Sequence, residues 1–361
     1  MHMVKSATSK HKKTTKKHSS WWKLPLKILA WIVGIAIFIA ASIWVAFQVS
    51  PWPSALLIRD AFNKGAAQQI AIMDKYVPKS GVHASTNISY YNGGGHDTTL
   101  DVYTPDSAIA GKKNLPTVVW VHGGGWVSGD KANVAPYLKI LSDKGYTTVG
   151  VNYTIAPEKQ YPTPVLQVNE ALKYLNAHAA ELNIDPNRIF LAGDSAGSQI
   201  AAQVATLITN PTYQNLVGMT PPLKASQISG MVLTCGAYDL SIINTDDGTQ
   251  GAELLETFLW SYSGYKNFTK DSKIYPASVV DHVTSQFPPT FITAGNADPL
   301  LKQSQVMTKK LQSLNVEVEP LFYPADYSPA LQHEYQFDLD LDASQKALQQ
   351  IIDFLGKHST S

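Results

Sequence analysis

Cysteine is almost absent from this sequence, since Cys235 is the one thiol in 361 residues. A single cysteine excludes an internal disulfide framework and a zinc cluster built on cysteines. Acidic side chains are missing from the first 59 residues, where eight lysines and Arg59 give a charge of +9. The rest of the chain holds 20 basic and 28 acidic side chains, a charge of −8. Because this body is acidic, we expect no nucleic acid partner.

One long apolar run lies near the N-terminus. Residues 28–49 are apolar apart from Ser42 and Gln48. As a helix they would be about 33 Å long, enough to cross a hydrocarbon core of about 30 Å. Lysines precede the run and are scarce after it, which predicts a cytoplasmic N-terminus and an exported body. Tryptophans, which favour the membrane interface, stand near both ends of the run: Trp21, Trp22 and Trp52.

Two other interpretations of this run are a cleaved signal peptide, with residues 40–42 as the cleavage site, and a buried core helix. The run continues past that site, and a core helix would not need a lysine-rich tail. The sequence therefore predicts a single-pass protein of the cell membrane. Residues 1–27 would be a basic cytoplasmic tail and residues 28–49 a transmembrane anchor, with the body extracytoplasmic. Lysine outnumbers arginine by 27 to 2. Such a bias towards lysine is associated with AT-rich bacterial genomes.

The body alternates short β-branched runs with helical patterns. Residues 53–76 read as an amphipathic helix, and residues 88–91 and 99–103 as a hairpin. This alternation predicts an α/β fold with a mostly parallel central sheet, helices on both faces and antiparallel strands at one edge. Residues 241–286 read as a less regular insertion. The further predicted strands are residues 117–121, 147–153, 188–192, 231–234, 289–293 and 316–323.

A nucleophile motif follows one of these strands. Residues 193–197 read Gly-Asp-Ser-Ala-Gly, which is G-x-S-x-G between a strand and a helix. Such a turn is sharp, and its glycines avoid clashes that a Cβ would make. It presents the Ser195 hydroxyl at the carboxyl end of the sheet, with the N–H of Ala196 beside it. Ser195 is therefore the candidate nucleophile.

A glycine-rich loop, residues 122–126 (His-Gly-Gly-Gly-Trp), follows the strand 117–121. Consecutive glycines let peptide N–H groups approach a developing oxyanion closely. We therefore predict that Gly123 and Gly124 join Ala196 in an oxyanion hole. The alternative is a tight turn that binds no ligand. His122 is interpreted as a structural residue, because it precedes the nucleophile.

Ser195 needs a base, and the base needs an orienting carboxylate. The order expected for this motif is serine, acid, histidine. His333 follows the last predicted strand by one loop, which makes it the candidate base. Asp298 directly follows the strand 289–293 and is the candidate acid. Asp239, after the preceding strand, is the second choice and is otherwise a turn cap.

These motifs together resemble the hormone-sensitive-lipase-like carboxylesterases of the α/β-hydrolase superfamily. Residues 153–162 are similar to that family's Y-R-L-A-P-E…F-P segment, residues 298–300 to its D-P-L, and His333 to its H-x-F. The resemblance covers about residues 88–355. It departs from the family at Thr154, where arginine is usual, at Ser198, where glycine is usual, at residues 302–303, where the family has an acidic position, and in the spacing after His333.

The resemblance implies hydrolysis of short-chain carboxylic esters through an acyl-enzyme on Ser195, without a metal or cofactor. It makes residues 50–85 a linker and cap helix, and residues 86–358 the catalytic domain. Trp126 and Tyr238 are predicted to line the substrate pocket, with core packing as the alternative for each. Two other functions stay open: an amide hydrolase of the same fold, similar to arylformamidases, and a non-catalytic surface-binding module.

Overall fold

The computed structural model describes residues 23–91, 95–243, 250–268 and 272–360. The chain divides into two units between Ser50 and Pro51. In the first unit, helix α1 (Lys23–Val49) has a mean hydropathy of 2.6 and buries none of its residues. It is long and apolar enough to cross a membrane, a test that a signal sequence also passes. Most of the predicted basic tail, residues 1–22, lies outside the described residues.

The second unit is built on one sheet of eight described strands, in the order β1-β2-β4-β3-β5-β6-β7-β8. β1 pairs antiparallel with β2, and β2 antiparallel with β4, whereas the remaining neighbours are parallel. The predicted mostly parallel sheet with an antiparallel edge is therefore confirmed. The strands are β1 (Val82–Ser89), β2 (Thr99–Pro105), β3 (Leu115–Val121), β4 (Thr147–Val151), β5 (Ile184–Asp194), β6 (Ile228–Thr234), β7 (Thr290–Thr293) and β8 (Val318–Leu321).

Helices cover both faces of the sheet, and each face has its own apolar core. On one face Val119 and Leu191 of the central strands pack in the same cluster as Ile200. On the other face Trp120 and Phe190 share a cluster with Phe354. Alternate residues of a strand point to opposite faces, so strands buried on both sides read as continuous apolar runs. The helices of this unit are α2 (Trp52–Met73), α3 (Asp106–Gly111), α4 (Lys131–Asp143), α5 (Thr163–Ala177), α6 (Ser195–Thr209), α7 (Pro211–Val217), α8 (Gln250–Ser263), α9 (Leu301–Ser313) and α10 (Asp342–His358).

The structure differs from the sequence prediction in the insertion at residues 241–286. This segment contains the 14-residue helix α8, which buries Phe258, Leu259 and Tyr262. Aromatic residues and serine have modest helix propensity, so the local sequence did not indicate a helix here. The helix is stabilised by its packing against the rest of the fold. The short helix α7 was also missed, although Asn210 caps it and Pro211 begins it.

The sheet topology decides where chemistry can occur. Strands β3, β5, β6, β7 and β8 run parallel, so their carboxyl ends share one edge of the sheet. The loops after these strands carry the glycine-rich segment, Ser195, Asp298 and His333. Ligands in open α/β sheets bind outside this edge.

Candidate active site

Ser195 lies at a turn in which strand and helix join without a linker. β5 ends at Asp194 and α6 begins at Ser195, which has a φ of +49°. The two flanking glycines are required by close packing, because a Cβ on Gly193 would lie 2.6 Å from the carbonyl carbon of Gly197. A Cβ on Gly197 would lie 2.1 Å from the carbonyl oxygen of Val121. The local sequence therefore holds Ser195 in a strained conformation at the wall of a cavity.

The structure brings together the three residues predicted as a triad. The Oγ atom of Ser195 lies 2.9 Å from Nε2 of His333. Nδ1 of the same imidazole lies 3.0 Å from both carboxylate oxygens of Asp298, whose side chain is fully buried. Since a carboxylate only accepts, Nδ1 carries the proton and Nε2 of the neutral ring is free to accept the serine proton.

The electrostatics of the site favour a positive charge on His333. Burial lowers the pKa of this imidazole, but the hydrogen bond and charge of Asp298 oppose burial and raise the pKa to about 9. Asp298 is fixed in turn, because its Oδ1 accepts a hydrogen bond from the N–H of Leu300 at 2.7 Å. An imidazolium formed during proton transfer is therefore stabilised where it forms.

The two rival residues occupy structural positions. Asp239 accepts hydrogen bonds from the backbone N–H and the hydroxyl of Ser241, at 3.0 and 2.5 Å, and so caps a short turn. The His122 ring is buried, stacks on Tyr153 at 4.4 Å and donates through Nδ1 to the Gly123 carbonyl oxygen at 2.8 Å. Burial lowers the pKa of His122, which keeps this ring neutral.

The predicted oxyanion hole needs one correction. The N–H of Gly123 donates to Oδ2 of Asp194 at 2.8 Å, so it is already engaged. The N–H groups of Gly124 and Ala196 have no acceptor within the described part of the chain, and both residues line the cavity at Ser195. Gly124 has a φ of +103°, and a Cβ there would lie 2.4 Å from the carbonyl oxygen of Ser128. Gly124 and Ala196 are thus the available donors among the three predicted residues.

A cavity of about 700 Å³ opens at Ser195. Trp126 lines it, as predicted, and stacks on Tyr262 at 4.8 Å. Tyr238 does not line it: the side chain is fully buried and its phenol lies 2.7 Å from the Ser198 hydroxyl. The pocket assignment of Tyr238 was therefore wrong, because a polar partner below the nucleophile turn draws the ring into the core. Helices α2 and α8 contribute much of the apolar wall, including Phe62, Leu254, Leu255 and Phe258.

Two of the residues that depart from the family pattern form hydrogen bonds with buried neighbours. Ser198, in place of the usual glycine, bonds Tyr238. Gln303, at the family's acidic position, accepts from the N–H groups of Tyr238 and Asp239 at 2.9 and 2.7 Å. Its amide also donates to the Asp239 carbonyl oxygen at 2.8 Å. A glutamine thus supplies the acceptor that a carboxylate would, without burying a charge.

Two functional elements were not assigned from the sequence. Glu334, directly after the base, lines the cavity, and its Oε1 lies 3.9 Å from Nε2 of His333. Arg59 holds the cap helix α2 to the body through Glu158 at 2.7 Å and the carbonyl oxygens of Val127 and Ala156 at 2.7 and 3.0 Å. Two features of the sequence could have indicated these residues. Glu334 is an acidic residue directly after the candidate base, and Arg59 is one of two arginines in a lysine-rich chain.

Among the residues that the structure describes, two groups of side chains place metal-binding atoms within 4.8 Å of one another. The first is Cys235, Asp298 and His333, of which the last two are engaged with each other and with Ser195. The second is Glu317, Glu319 and His358, where the ammonium group of Lys357 already bridges the two carboxylates at 2.5 and 2.6 Å. Neither arrangement of donors fits a resident metal ion.

Comparisons with known proteins agree with this geometry. A family model described as BD-FAE matches residues 100–311. Carboxylesterase NlhH of Mycobacterium tuberculosis is 31% identical over 70% of this chain and 75% of its own length. Esterase LipQ of the same organism is 24% identical over 76% of this chain and 62% of its own length. The chain spans 54% to 64% of the length of four of the curated relatives that it matches.

Solved structures show the same fold. Esterase B from Lactobacillus rhamnosis superimposes with a TM-score of 0.70 at 22% identity, over 85% of this chain and 96% of that one. The family match covers the glycine-rich loop, the nucleophile turn and the candidate acid. On the fold and these sequence matches together, the chain belongs to the hormone-sensitive-lipase-like carboxylesterases of the α/β-hydrolase superfamily.

Proposed function

We propose that this protein is a membrane-anchored serine carboxylesterase that hydrolyses short-chain carboxylic esters through an acyl-enzyme on Ser195. The observation that carries the proposal is the contact of 2.9 Å between Ser195 Oγ and His333 Nε2, with Asp298 behind the imidazole. Ser195 and His333 line a cavity of about 700 Å³ whose wall is largely apolar, and Asp298 lies buried behind His333. Acyl transfer by a serine requires a nucleophile that is hydrogen-bonded to a base, and a base that is oriented by an acid.

In the acylation step, His333 takes the proton of Ser195 while the serine oxygen attacks the ester carbonyl. Asp298 holds the imidazole in the required tautomer and stabilises the imidazolium. The N–H groups of Gly124 and Ala196 donate to the tetrahedral oxyanion; removal of one such donor costs about 3 kcal/mol in known enzymes. The imidazolium then protonates the leaving alcohol. Water, deprotonated by His333, releases the acid from the acyl-enzyme by the same route.

The preference for short acyl chains has support from the relatives. One relative, from Salmonella paratyphi B, is called an acetyl esterase. The Lactobacillus rhamnosis esterase B is also known in a form inhibited by a C4-C4 tributyrin phosphonate. In this chain the largely apolar cavity wall, which includes Phe62 and Phe258, suits an apolar acyl group.

Anchoring belongs to the same proposal. Residues 1–27 would be the cytoplasmic tail, residues 28–49 the anchor, residues 50–85 a linker with the cap helix and residues 86–358 the catalytic domain. The apolar helix α1 and the lysines on one flank support this topology, which puts ester hydrolysis on the outer side of the cell membrane.

The test uses the full chain in detergent micelles with p-nitrophenyl esters from acetate to palmitate and the corresponding anilides. We expect turnover of the short esters, and in Ser195→Ala a loss of about 10⁴-fold or more in kcat. Ser313→Ala, the same change at the exposed end of α9, is the matched control and keeps its activity. Asp298→Asn should lose about 10⁴-fold, whereas Asp239→Asn should not.

Each other outcome points to a different function. Faster cleavage of anilides than of esters would favour an amide hydrolase of the same fold. No turnover of either class, with no labelling of Ser195 by a fluorophosphonate, would refute the enzyme and favour a surface-binding module. Equal losses in the Asp298 and Asp239 variants would refute the assignment of the acid.

A further inference from the structure

The catalytic base lies on a loop, residues 331–337, which is called the base loop below. The side chain of His333 is 33% exposed, and Asp298 fixes the rotation of its ring through Nδ1. Asp298 belongs to the loop after β7, so this contact does not join the base loop to the nucleophile turn. A contact that joins these two segments would set the distance between the imidazole and Ser195.

Buried side chains make such a connection beneath the catalytic residues. The amide Nε2 of Gln336, three residues after the base, donates to the Thr234 hydroxyl at 3.1 Å. Thr234 is the last residue of β6 and is in register with Asp194, the last residue of β5. Its hydroxyl donates to the carbonyl oxygen of Gly193 at 3.1 Å, two residues before the nucleophile. The three residues Gln336, Thr234 and Gly193 form the threonine bridge between the base loop and the nucleophile turn.

The direction of each hydrogen bond in the threonine bridge follows from the groups involved. The carbonyl oxygen of Gly193 only accepts, so the hydroxyl proton of Thr234 points towards it. The hydroxyl oxygen is then left to accept, and the amide nitrogen of Gln336 is the group that donates to it. The amide oxygen of Gln336 lies on the other side, 3.9 Å from Sγ of Cys235. The bridge therefore has a donor facing an acceptor at both of its contacts.

The threonine bridge is shielded from solvent. Thr234 and Gln336 are fully buried, and so is Gly193. Val232, two residues earlier on β6, and Tyr335, next to Gln336, belong to the same apolar cluster. An amide released from Thr234 would therefore meet apolar side chains rather than water. Because a buried polar group without a partner is costly, the bridge resists separation of the two segments that it joins.

A second hydrogen-bonded series starts from the base loop but ends elsewhere. The hydroxyl of Tyr335 lies 2.6 Å from Oγ1 of Thr293, which donates to the carbonyl oxygen of Leu321 at 2.8 Å. Thr293 is in register with Thr234 on the neighbouring strand. Leu321 ends β8, the strand that precedes the base loop, so this series holds the loop to its own strand. The threonine bridge differs because it ends at the nucleophile turn.

We propose that Thr234 and Gln336 are positioning residues for ester hydrolysis, and that the threonine bridge sets the distance between Nε2 of His333 and Oγ of Ser195. The inference rests on the proposed function. Both side chains lie outside the cavity wall, so they act through the two segments that carry the catalytic groups. A displacement of about 1 Å between reacting groups costs up to about 10²-fold in rate.

The test compares Thr234→Val, Thr234→Ser and Gln336→Met with the wild type, as the full chain in detergent micelles. Valine keeps the shape of threonine without its hydroxyl, and methionine replaces the amide at similar length. Each of these two changes should lower kcat about tenfold or more and leave KM within about twofold, since the cavity wall is unchanged. Serine keeps the hydroxyl, so Thr234→Ser should retain kcat within about threefold.

Thr290→Val is the matched control. Thr290 begins β7, is fully buried, and donates through its hydroxyl to the carbonyl oxygen of Pro288 at 2.9 Å. The same atoms change at the opposite edge of the sheet, so the melting temperature should fall while kcat stays within about twofold. The rate at which a fluorophosphonate labels Ser195 reports on the serine and its base directly. This rate should fall in Thr234→Val and not in Thr290→Val.

The double variant, Thr234→Val with Gln336→Met, tests whether the two residues act as one connection. Either change alone already breaks the threonine bridge, so the double variant should lose no more than about twofold in kcat beyond the larger single loss. Losses that multiply would overturn the proposal. The same holds for a serine variant as slow as the valine variant, or for a Thr234→Val variant as fast as Thr290→Val.

Urea unfolding tests the threonine bridge without any substrate. In the cycle formed by the two single variants and the double variant, the loss of unfolding free energy in the double variant should be smaller than the sum of the single losses. Additive losses would overturn the bridge, whereas an inactive wild type with a coupled cycle would refute only the proposed function. Should Thr234→Val fail to fold, Gln336→Met decides the matter: wild-type kcat in that folded variant would overturn the proposal.

Discussion

Backbone strain in this protein is concentrated at the residues that surround the nucleophile. In the described part of the chain, eight non-glycine residues have a positive φ, and four of them are at the site. Three of the others are asparagines, which tolerate this conformation, and the last is Lys112 at a helix end. Such strain persists only where the surrounding structure imposes it. The four at the site are Trp126, Ser195, Cys235 and Glu334.

Ionisation of His333 should control the pH dependence of catalysis. The pKa of this residue is raised to about 9, and the base must be neutral to accept the Ser195 proton. We therefore expect kcat/KM to rise about tenfold per pH unit below that value and to level off near pH 9. Initial rates with p-nitrophenyl acetate, corrected for spontaneous hydrolysis, measure this profile. A plateau that begins near pH 6 would contradict the raised pKa.

At the level of elements, the connection from β5 to α6 is the part of the fold that depends most on particular residues. The turn has no linker, and α6 is buried along its whole length. The first turn of α6 passes against the end of β3, where a Cβ on Gly197 would meet two carbonyl oxygens at 2.1 and 2.3 Å. The glycine lets the helix start approach the oxyanion loop.

This packing predicts that Gly197→Ala is strongly destabilising. Because the obstructing atoms are backbone, the helix must shift, and we expect a loss of about 3 kcal/mol or more in the free energy of unfolding. Gly356→Ala in α10 is the matched control, since its Cβ would meet only the Tyr146 hydroxyl at 3.8 Å. That change should be neutral or stabilise by up to about 1 kcal/mol. Urea unfolding of both variants measures the difference; equal stabilities would contradict the packing argument.

One side chain of helix α2 makes several of the contacts that hold this element to the body. Arg59 donates to Glu158 and to two backbone carbonyl oxygens of the body. Burial opposes ionisation of Glu158, but the hydrogen bond from Arg59 lowers the pKa of its carboxyl group overall, so this contact persists at neutral pH. These contacts of Arg59 fix α2, and other residues of α2 form part of the cavity wall.

At the scale of the whole molecule, charge and hydropathy divide the chain into two parts of different composition. The unit that begins at Pro51 has its own sheet and two apolar cores. The helix that precedes it exposes large apolar side chains throughout its length, such as Trp31, Phe38 and Trp44. Such a helix is not stable in water by itself, but it matches a hydrocarbon environment.

Residues 51–361 should therefore be soluble and active without the preceding segment. Expressed alone, this part should remain in the supernatant after ultracentrifugation and keep kcat within about threefold, since the site lies wholly within it. The full chain should sediment with membranes and resist extraction by high salt. Intact mass of the full-length product is the control for processing. Recovery of a soluble form cut near residue 42 would contradict the anchor and favour a signal peptide.

The order of the strands and of the helices α2, α4, α5, α6, α9 and α10 was determined by the sequence itself, because strands buried on both faces leave continuous apolar runs that are visible locally. The nucleophile turn, Asp298 and His333 were also predictable, since each follows a strand and parallel strands end at one edge. The helix α8 was not, because its stability comes from the surfaces that it covers.

Only the tertiary structure decided which N–H groups remain available for an oxyanion. Gly123 and Gly124 are equivalent in the sequence, yet one is engaged by Asp194, 71 positions away. The burial of Tyr238, whose phenol contacts the Ser198 hydroxyl 40 positions away, has the same origin. These contacts join residues far apart in the chain, and local periodicity carries no information about them. Sequence determined which chemical groups reach this edge of the sheet; packing across it determined which of them stay available.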